Sequence, residues 1–237
     1  MKTRINTHFF SRKHPFLPYF SQTQVLMEDG LQIVFSHRSF QEYFVALYLN
    51  DAPPEIQEGL IDRYWPNIRS DRVIYNLHEM NPELIERLLF IPVLTKLFED
   101  LNIRKKVGIT HFSRYLKLFF SEIKLNEGQL SLVLIPQNIH LYSLLRFFSS
   151  VTTNFKIPEK KVIRKESQNF IEKYSHGRTN IRYEIAPLTY RSEIVQDMSN
   201  LSGLHSISFI QKSYDSLLLL KKRHKQVKGS LDDVLGR

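Results

Sequence analysis

The chain of 237 residues has no cysteine, which removes disulfide scaffolds, thiolate-bound zinc and a cysteine nucleophile together. Glycine and proline are sparse, at 8 and 10, and no repeat period runs through the sequence, so collagen-like and fibrous classes are excluded. No stretch reaches about 18 uninterrupted apolar residues, and the opening Met1–Asn6 lacks the apolar core of a signal peptide. The expectation is a soluble, cytoplasmic protein without a membrane partner. Catalytic signatures are missing as well. The glycines (30, 59, 108, 128, 177, 203, 229 and 236) never take the spacing of a phosphate-cradling Walker A loop. No G-x-S-x-G or H-E-x-x-H occurs, and no two of the 9 histidines stand at i, i+4 to chelate a metal on one helix. The chain is therefore expected not to be an enzyme, with no catalytic residue, no metal site and no cofactor of its own.

What is present suits a packed protein. Hydrophobic residues make up 42% of the chain, with 17 Phe and 11 Tyr, far too many for a sequence that stays disordered. The length fits one domain plus a smaller piece, or two small domains. The net charge of +9 is uneven. Residues 51–150 balance, whereas residues 151–237 hold sixteen basic against nine acidic side chains. A basic region can meet nucleic acid, anionic lipid or an acidic protein surface.

Thr7–Phe20 mixes aromatics with two prolines and has no period, which reads as the middle of something larger and not as a domain start. Gln24–Phe35 reads as a β-hairpin turning at Asp29-Gly30, with Leu31, Ile33 and Phe35 on a buried face. Ser39-Phe40-Gln41-Glu42 has the S-x-x-E form of a capping box. Phe40, Tyr43, Phe44 and Leu47 follow at i, i+3, i+4 and i+7, an apolar face expected to be core. Asp51-Ala52-Pro53-Pro54 ends that helix. Short helices are expected over Glu55–Tyr64, Ser70–His78 and from Pro82 past Pro92 to Asn102, and again over His140–Ser149. Leu130–Ile135 fits a buried strand or a helix start. Lys156–Lys165 reads as a surface linker. Ser167–Tyr174, Ser192–Leu201 and a longer basic Ser213–Val227 read as helices, with Ser230–Asp233 starting a terminal turn. The fold expected is mainly α: a β-hairpin followed by a helical bundle or irregular helical array. Its divisions are a hairpin-helix unit at 1–50, a helical domain at 51–155 and a basic helical region at 156–237.

Phe35-Ser36-His37-Arg38-Ser39-Phe40-Gln41-Glu42-Tyr43-Phe44-Val45-Ala46 resembles the F-x-H-x-S-F-Q-E-(Y/F)-(F/L)-x-A stretch of NACHT-type STAND NTPases, the group of NOD-like receptors and bacterial antiphage proteins. In that family the stretch ends the winged-helix domain, and the hairpin before it is the wing. The resemblance implies a winged-helix remnant at 1–50. It also implies a regulatory or sensor C-terminal portion of such an ATPase, in antiviral defence, acting by protein or ligand contacts. His37 then corresponds to the histidine that contacts the β-phosphate of ADP, the alternative being a plain bridge from strand to helix. Arg38 is either a solvated charge or a contact to the nucleotide domain. The P-loop, acidic strand and sensor arginine of the family have no counterpart here, so ADP or ATP enters only with a NACHT nucleotide domain, in cis or from a split gene. A protein ligand and an oligomer of like subunits are the other partners implied.

Lys221, Lys222, Arg223, Lys225 and Lys228 form a basic run that could meet phosphates, or else be the solvated end of an amphipathic helix whose charges complement its dipole. The rival readings are a winged-helix nucleic-acid binder using the wing and this run, and a gene fragment exposing apolar surface where a NACHT module should pack.

Overall fold

The computed structural model describes residues 25–29, 32–126, 128–153, 159–203 and 205–234. The opening aromatic segment lies outside them. The architecture is mainly α, with two small antiparallel sheets. β1 (Leu26–Asp29) and β2 (Gln32–Phe35) form the hairpin, with Leu26 opposite Phe35 and Asp29 opposite Gln32. This register carries Asp29 in the ladder, so Asp29-Gly30 is not the centre of a two-residue turn. Residues 30 and 31 lie outside the described residues. Nor is Ile33, on the face expected to be buried, covered: it is 57% exposed, and Met27 on the opposite face is 50% exposed. The ribbon leans on the helix that follows it, Arg38–Asp51, through the stacked rings of Phe35 and Phe44 (centroids 5.6 Å apart).

Helix α1 (Arg38–Asp51) is capped by His37 and not by Ser39. The His37 Nδ1 accepts the Ser39 backbone N–H at 3.1 Å and lies 2.6 Å from the Ser39 hydroxyl. Glu42 is taken by Arg38 instead (Nε–Oε1 2.7 Å), so the expected capping box does not form. The expected core stripe is only partly covered: Phe40 is 40% and Tyr43 47% exposed and Phe44 and Leu47 are half-buried, while Ala46 and Leu49 are fully buried. The buried stripe faces α3 (Val73–Met80), reached through α2 (Pro54–Tyr64) and a 3-10 turn at Trp65–Asn67. Ala46, the smallest side chain on that stripe, suits the close approach.

Pro82 opens α4 (Pro82–Ile85), where its missing N–H costs nothing, and the Asn81 side chain accepts the Leu84 N–H (3.2 Å). A π turn, Glu86–Phe90, leads into α5 (Ile91–Asp100). The helix ends before Asn102, which takes a left-handed φ of 59°. After α6 (Ile109–Phe119) the chain turns directly into β3 (Phe120–Asn126) and back through β4 (Gln129–Leu134), so Leu130–Leu134 is strand. Gly128 sits between them with φ 78°, a value that disfavours any side chain.

Helix α7 (Ile139–Thr152) follows a 3-10 turn at Pro136–Asn138. Lys160–Lys165 is not a linker: it begins α8 (Lys160–Ser175), which buries only Phe170 and Tyr174. β5 (Ile181–Glu184) adds to the sheet in the order β4-β3-β5, all antiparallel. Then come α9 (Glu193–Ser199) and α10 (Ile207–Val234), which runs through Ser230–Asp233, so no separate terminal turn starts there.

The buried side chains make one connected core from Ala46 to Leu220. Helix α10 ties it together. Phe209, Ile210 and Ser213 are fully buried, and the Ser213 hydroxyl meets that of Ser149 on α7 at 2.7 Å. Gln211 accepts the Val107 N–H at 2.6 Å, and the Tyr214 hydroxyl donates to the Arg104 carbonyl at 2.7 Å.

Candidate functional site

Two features meet where the hairpin joins α1. The first is His37 itself. Its Nδ1 acts as an acceptor for the helix N-terminus, so the neutral ring carries its proton on Nε2. That leaves an N–H donor beside a helix N-terminus, where the dipole favours negative charge. The second is apolar exposure on α1, where Phe40, Tyr43 and Tyr48 are 40–48% exposed. On the hairpin Ile33 and Met27 are 57% and 50% exposed, on opposite faces of the ribbon.

Next to this junction lies an open cleft of about 680 Å³ between the start of α1, the segment from Ile68 to Tyr75, and α7. Arg38, Arg69, Arg72 and Arg146 line it, against the carboxylates of Glu42 and Asp71. Ile68, Tyr142 and Phe147 are buried and form its floor. Arg38 bridges two walls, with Nε on Glu42 (2.7 Å) and Nη2 on the Ser70 carbonyl (2.5 Å). Asp71 accepts the Val73 N–H at the start of α3 (3.1 Å). Burial raises its carboxyl above the usual value and Glu42 adds to this, while the Val73 hydrogen bond and Arg38 oppose. The Arg72 guanidinium lies 5.7 Å from the Tyr75 ring centre, and that of Arg146 lies 5.9 Å from the Tyr142 ring centre. Burial pushes the Tyr142 hydroxyl up to about 12, with Arg146 opposing.

Behind the floor, the His205 ring stacks on Tyr142 (6.1 Å, 12°) and meets Phe120 edge-on at 5.2 Å. Its Nδ1 is buried with no hydrogen-bond partner among the described residues. Burial, aided by Arg146, holds this imidazole down at about 4, so it is neutral at pH 7.

The basic run on α10 does not present one surface. Arg223 and His224 both reach Glu86 in the π turn, His224 through Nε2 at 2.9 Å, and Lys221 reaches the Thr95 hydroxyl at 3.4 Å. Glu86 is buried, which raises its carboxyl, but the hydrogen bonds from Arg223 and His224 outweigh this and hold it below its ordinary value. Lys222 and Lys225 are exposed beside a shallow depression. The Lys228 side chain lies outside the described residues.

His37 and Arg38 are therefore neighbours at one junction, and the sequence named both. It missed Arg69, Arg72 and Arg146. Two signals were present: the Arg69-Ser70-Asp71-Arg72 cluster between helices, and Arg146 as the one lysine or arginine of the apolar α7. Among the described residues no group of three His, Asp or Glu is placed to hold a metal ion, and no helix is long and apolar enough to cross a membrane.

Comparison with known proteins gives one relationship. Residues 80–235 match the family model of the Short NACHT-associated C-Terminal domain, family 13. No curated protein and no solved structure matches the chain. The match begins at the end of α3, so it takes in α7 and the α10 tie and leaves out His37, Arg38 and the Ile68–Tyr75 wall of the cleft.

Proposed function

The chain belongs to the short NACHT-associated C-terminal domain family, and from that premise we propose that it is the regulatory or sensing C-terminal portion of a NACHT-type signalling ATPase, working through contacts and not through catalysis. The family domain is not itself the NTPase core, so nucleotide chemistry belongs to a NACHT nucleotide domain supplied in cis or by a second chain. The likeness of residues 35–46 to antiphage relatives supports a role in antiviral defence.

One observation carries the reading. The helix that carries most of the NACHT-like motif exposes Phe40, Tyr43 and Tyr48, while its other face is packed in the core through Ala46 and Leu49. Aromatic side chains each bury on the order of 150–250 Å² when covered, and grouped apolar exposure of this kind marks a protein contact. The occupant is the NACHT module, whose winged-helix end the motif resembles. Docking there brings His37 to the nucleotide, its Nε2–H reaching a phosphate of ADP. One donor does not hold ADP alone, and the remaining contacts come from the nucleotide domain.

The rival assignment to nucleic acid draws less support. Arg223 and Lys221 are spent within the chain, on Glu86 and Thr95. The docking reading is tested by co-purifying the native assembly with Phe40→Asp and Tyr43→Asp introduced together. The NACHT module is expected to separate while the chain keeps its helical signal. Unchanged association overturns the assignment of this face.

A further inference from the structure

The cleft holds four guanidiniums and two carboxylates, which leaves two positive charges in excess. Glu42 is already paired with Arg38, and Asp71 is already engaged with the Val73 N–H. Among the described residues no carboxylate pairs with Arg69, Arg72 or Arg146. Two of these three are laid against tyrosine rings, Arg72 on Tyr75 and Arg146 on Tyr142. Such stacking orients the planar fork before any ligand arrives, so less freedom is lost on binding. The guanidinium fork matches phosphate oxygens two at a time. A phosphate monoester carries roughly −1.5 to −2 charges at pH 7, the size of the excess. Ile68, Tyr142 and Phe147 below the arginines offer an apolar floor, and about 680 Å³ is a small-molecule volume.

We propose that this cleft binds a small molecule bearing a phosphate monoester on an apolar or aromatic body, with Arg69, Arg72 and Arg146 on the phosphate and the apolar floor around Ile68 and Phe147 under the body. The site names the ligand class for the sensing role proposed above. It rests on that reading only for its purpose, because binding is measured on the chain alone and its failure leaves the docking face intact. A monocarboxylate would leave one positive charge unmatched. The wall that carries Arg38 is also the wall that His37 caps, so an occupied cleft sits one residue from the nucleotide contact.

The test is calorimetric titration of the full chain with phenyl phosphate, benzoate and inorganic phosphate as probes. Phenyl phosphate is expected to saturate one site, with benzoate and inorganic phosphate each about tenfold weaker or more. Arg72→Gln with Arg146→Gln should weaken phenyl phosphate by about tenfold or more. Both residues are exposed, so the fold is retained, which circular dichroism checks. Lys222→Gln with Lys225→Gln removes the same charge from α10 and should leave binding within about twofold. Equal loss in the two double variants would reduce the effect to net charge and overturn the site. No saturable binding, or benzoate matching phenyl phosphate, overturns the phosphate assignment. Inorganic phosphate matching it overturns the apolar body. A single-stranded RNA oligonucleotide that binds tighter than phenyl phosphate, and is lost in the arginine variant, overturns the small-molecule assignment.

Discussion

His205 offers a stability measurement whose sign and size follow from its surroundings. Its ring lies between Phe120 and Tyr142, with Nδ1 buried and unpartnered among the described residues. Burial, with Arg146 nearby, lowers it to about 4, against about 6.5 in the unfolded chain. Between those values the unfolded state binds a proton that the folded state does not. Stability is then complete above pH 6.5 and falls as the pH drops toward 4. At about 1.36 kcal/mol per pH unit, the loss at pH 5 is about 2 kcal/mol, and at pH 4 about 3 kcal/mol. His205→Phe keeps a planar ring and removes the titration. Urea unfolding, followed by the fluorescence of Trp65, the only tryptophan, should be run on both proteins at pH 7, 6 and 5. The native chain is expected to lose about 2 kcal/mol more than the variant between pH 7 and 5. At pH 7 the variant should be more stable by about 1 kcal/mol, because an unpaired buried nitrogen is gone. Parallel pH curves for the two proteins would refute the burial argument.

Replacing Arg223 and His224 together by Ala leaves the Glu86 carboxylate buried without its two donors and should cost about 2 kcal/mol in urea unfolding. The figure is set below that of a fully buried pair because Arg223 is 59% exposed. In the intact chain this tie is present above the ordinary carboxyl pKa and is lost as pH falls through the depressed value of folded Glu86, so the double variant should be less acid-sensitive below pH 4.5. His37→Ala should lower stability by about 1 kcal/mol through the lost cap, and in the native assembly it should speed release of a fluorescent ADP analogue by about tenfold. Loss of the cap alone, with ADP release unchanged, would confine His37 to the bridging role.

The helices from Pro54 to Asp100 were legible because proline, charge and apolar period agree there. Helix α1 was legible as a helix but not in its facing. It carries two apolar stripes, and the aromatic one leaves Phe40 and Tyr43 at the surface and Phe44 half-buried against Phe35, while Ala46 and Leu49 fill the core. The β3–β4–β5 sheet was hidden for a different reason. Phe119 and Phe120 continue one aromatic run across the change from α6 to β3, and Ile181–Glu184 alternates over only four residues, too few to stand out. The start of α8, Lys160–Lys165, reads as a linker because it is strongly basic and both buried anchors, Phe170 and Tyr174, lie further along, in the part legible as helix. The motif at His37 and Arg38 could be read in order along the chain. The cleft could not, since Arg38, Arg69, Arg72 and Arg146 converge only through tertiary packing.

The central claim is that this chain works with a NACHT nucleotide domain. An antibody against the α8 segment, applied to cells that make the protein, tests it most directly when the recovered material is sized and sequenced by mass spectrometry. Peptides containing a P-loop are expected in the recovered material, either on one polypeptide well above 28.1 kDa or on a second chain at equal stoichiometry. Recovery of the chain alone at 28.1 kDa, with no P-loop protein beside it, would overturn the pairing with a NACHT nucleotide domain.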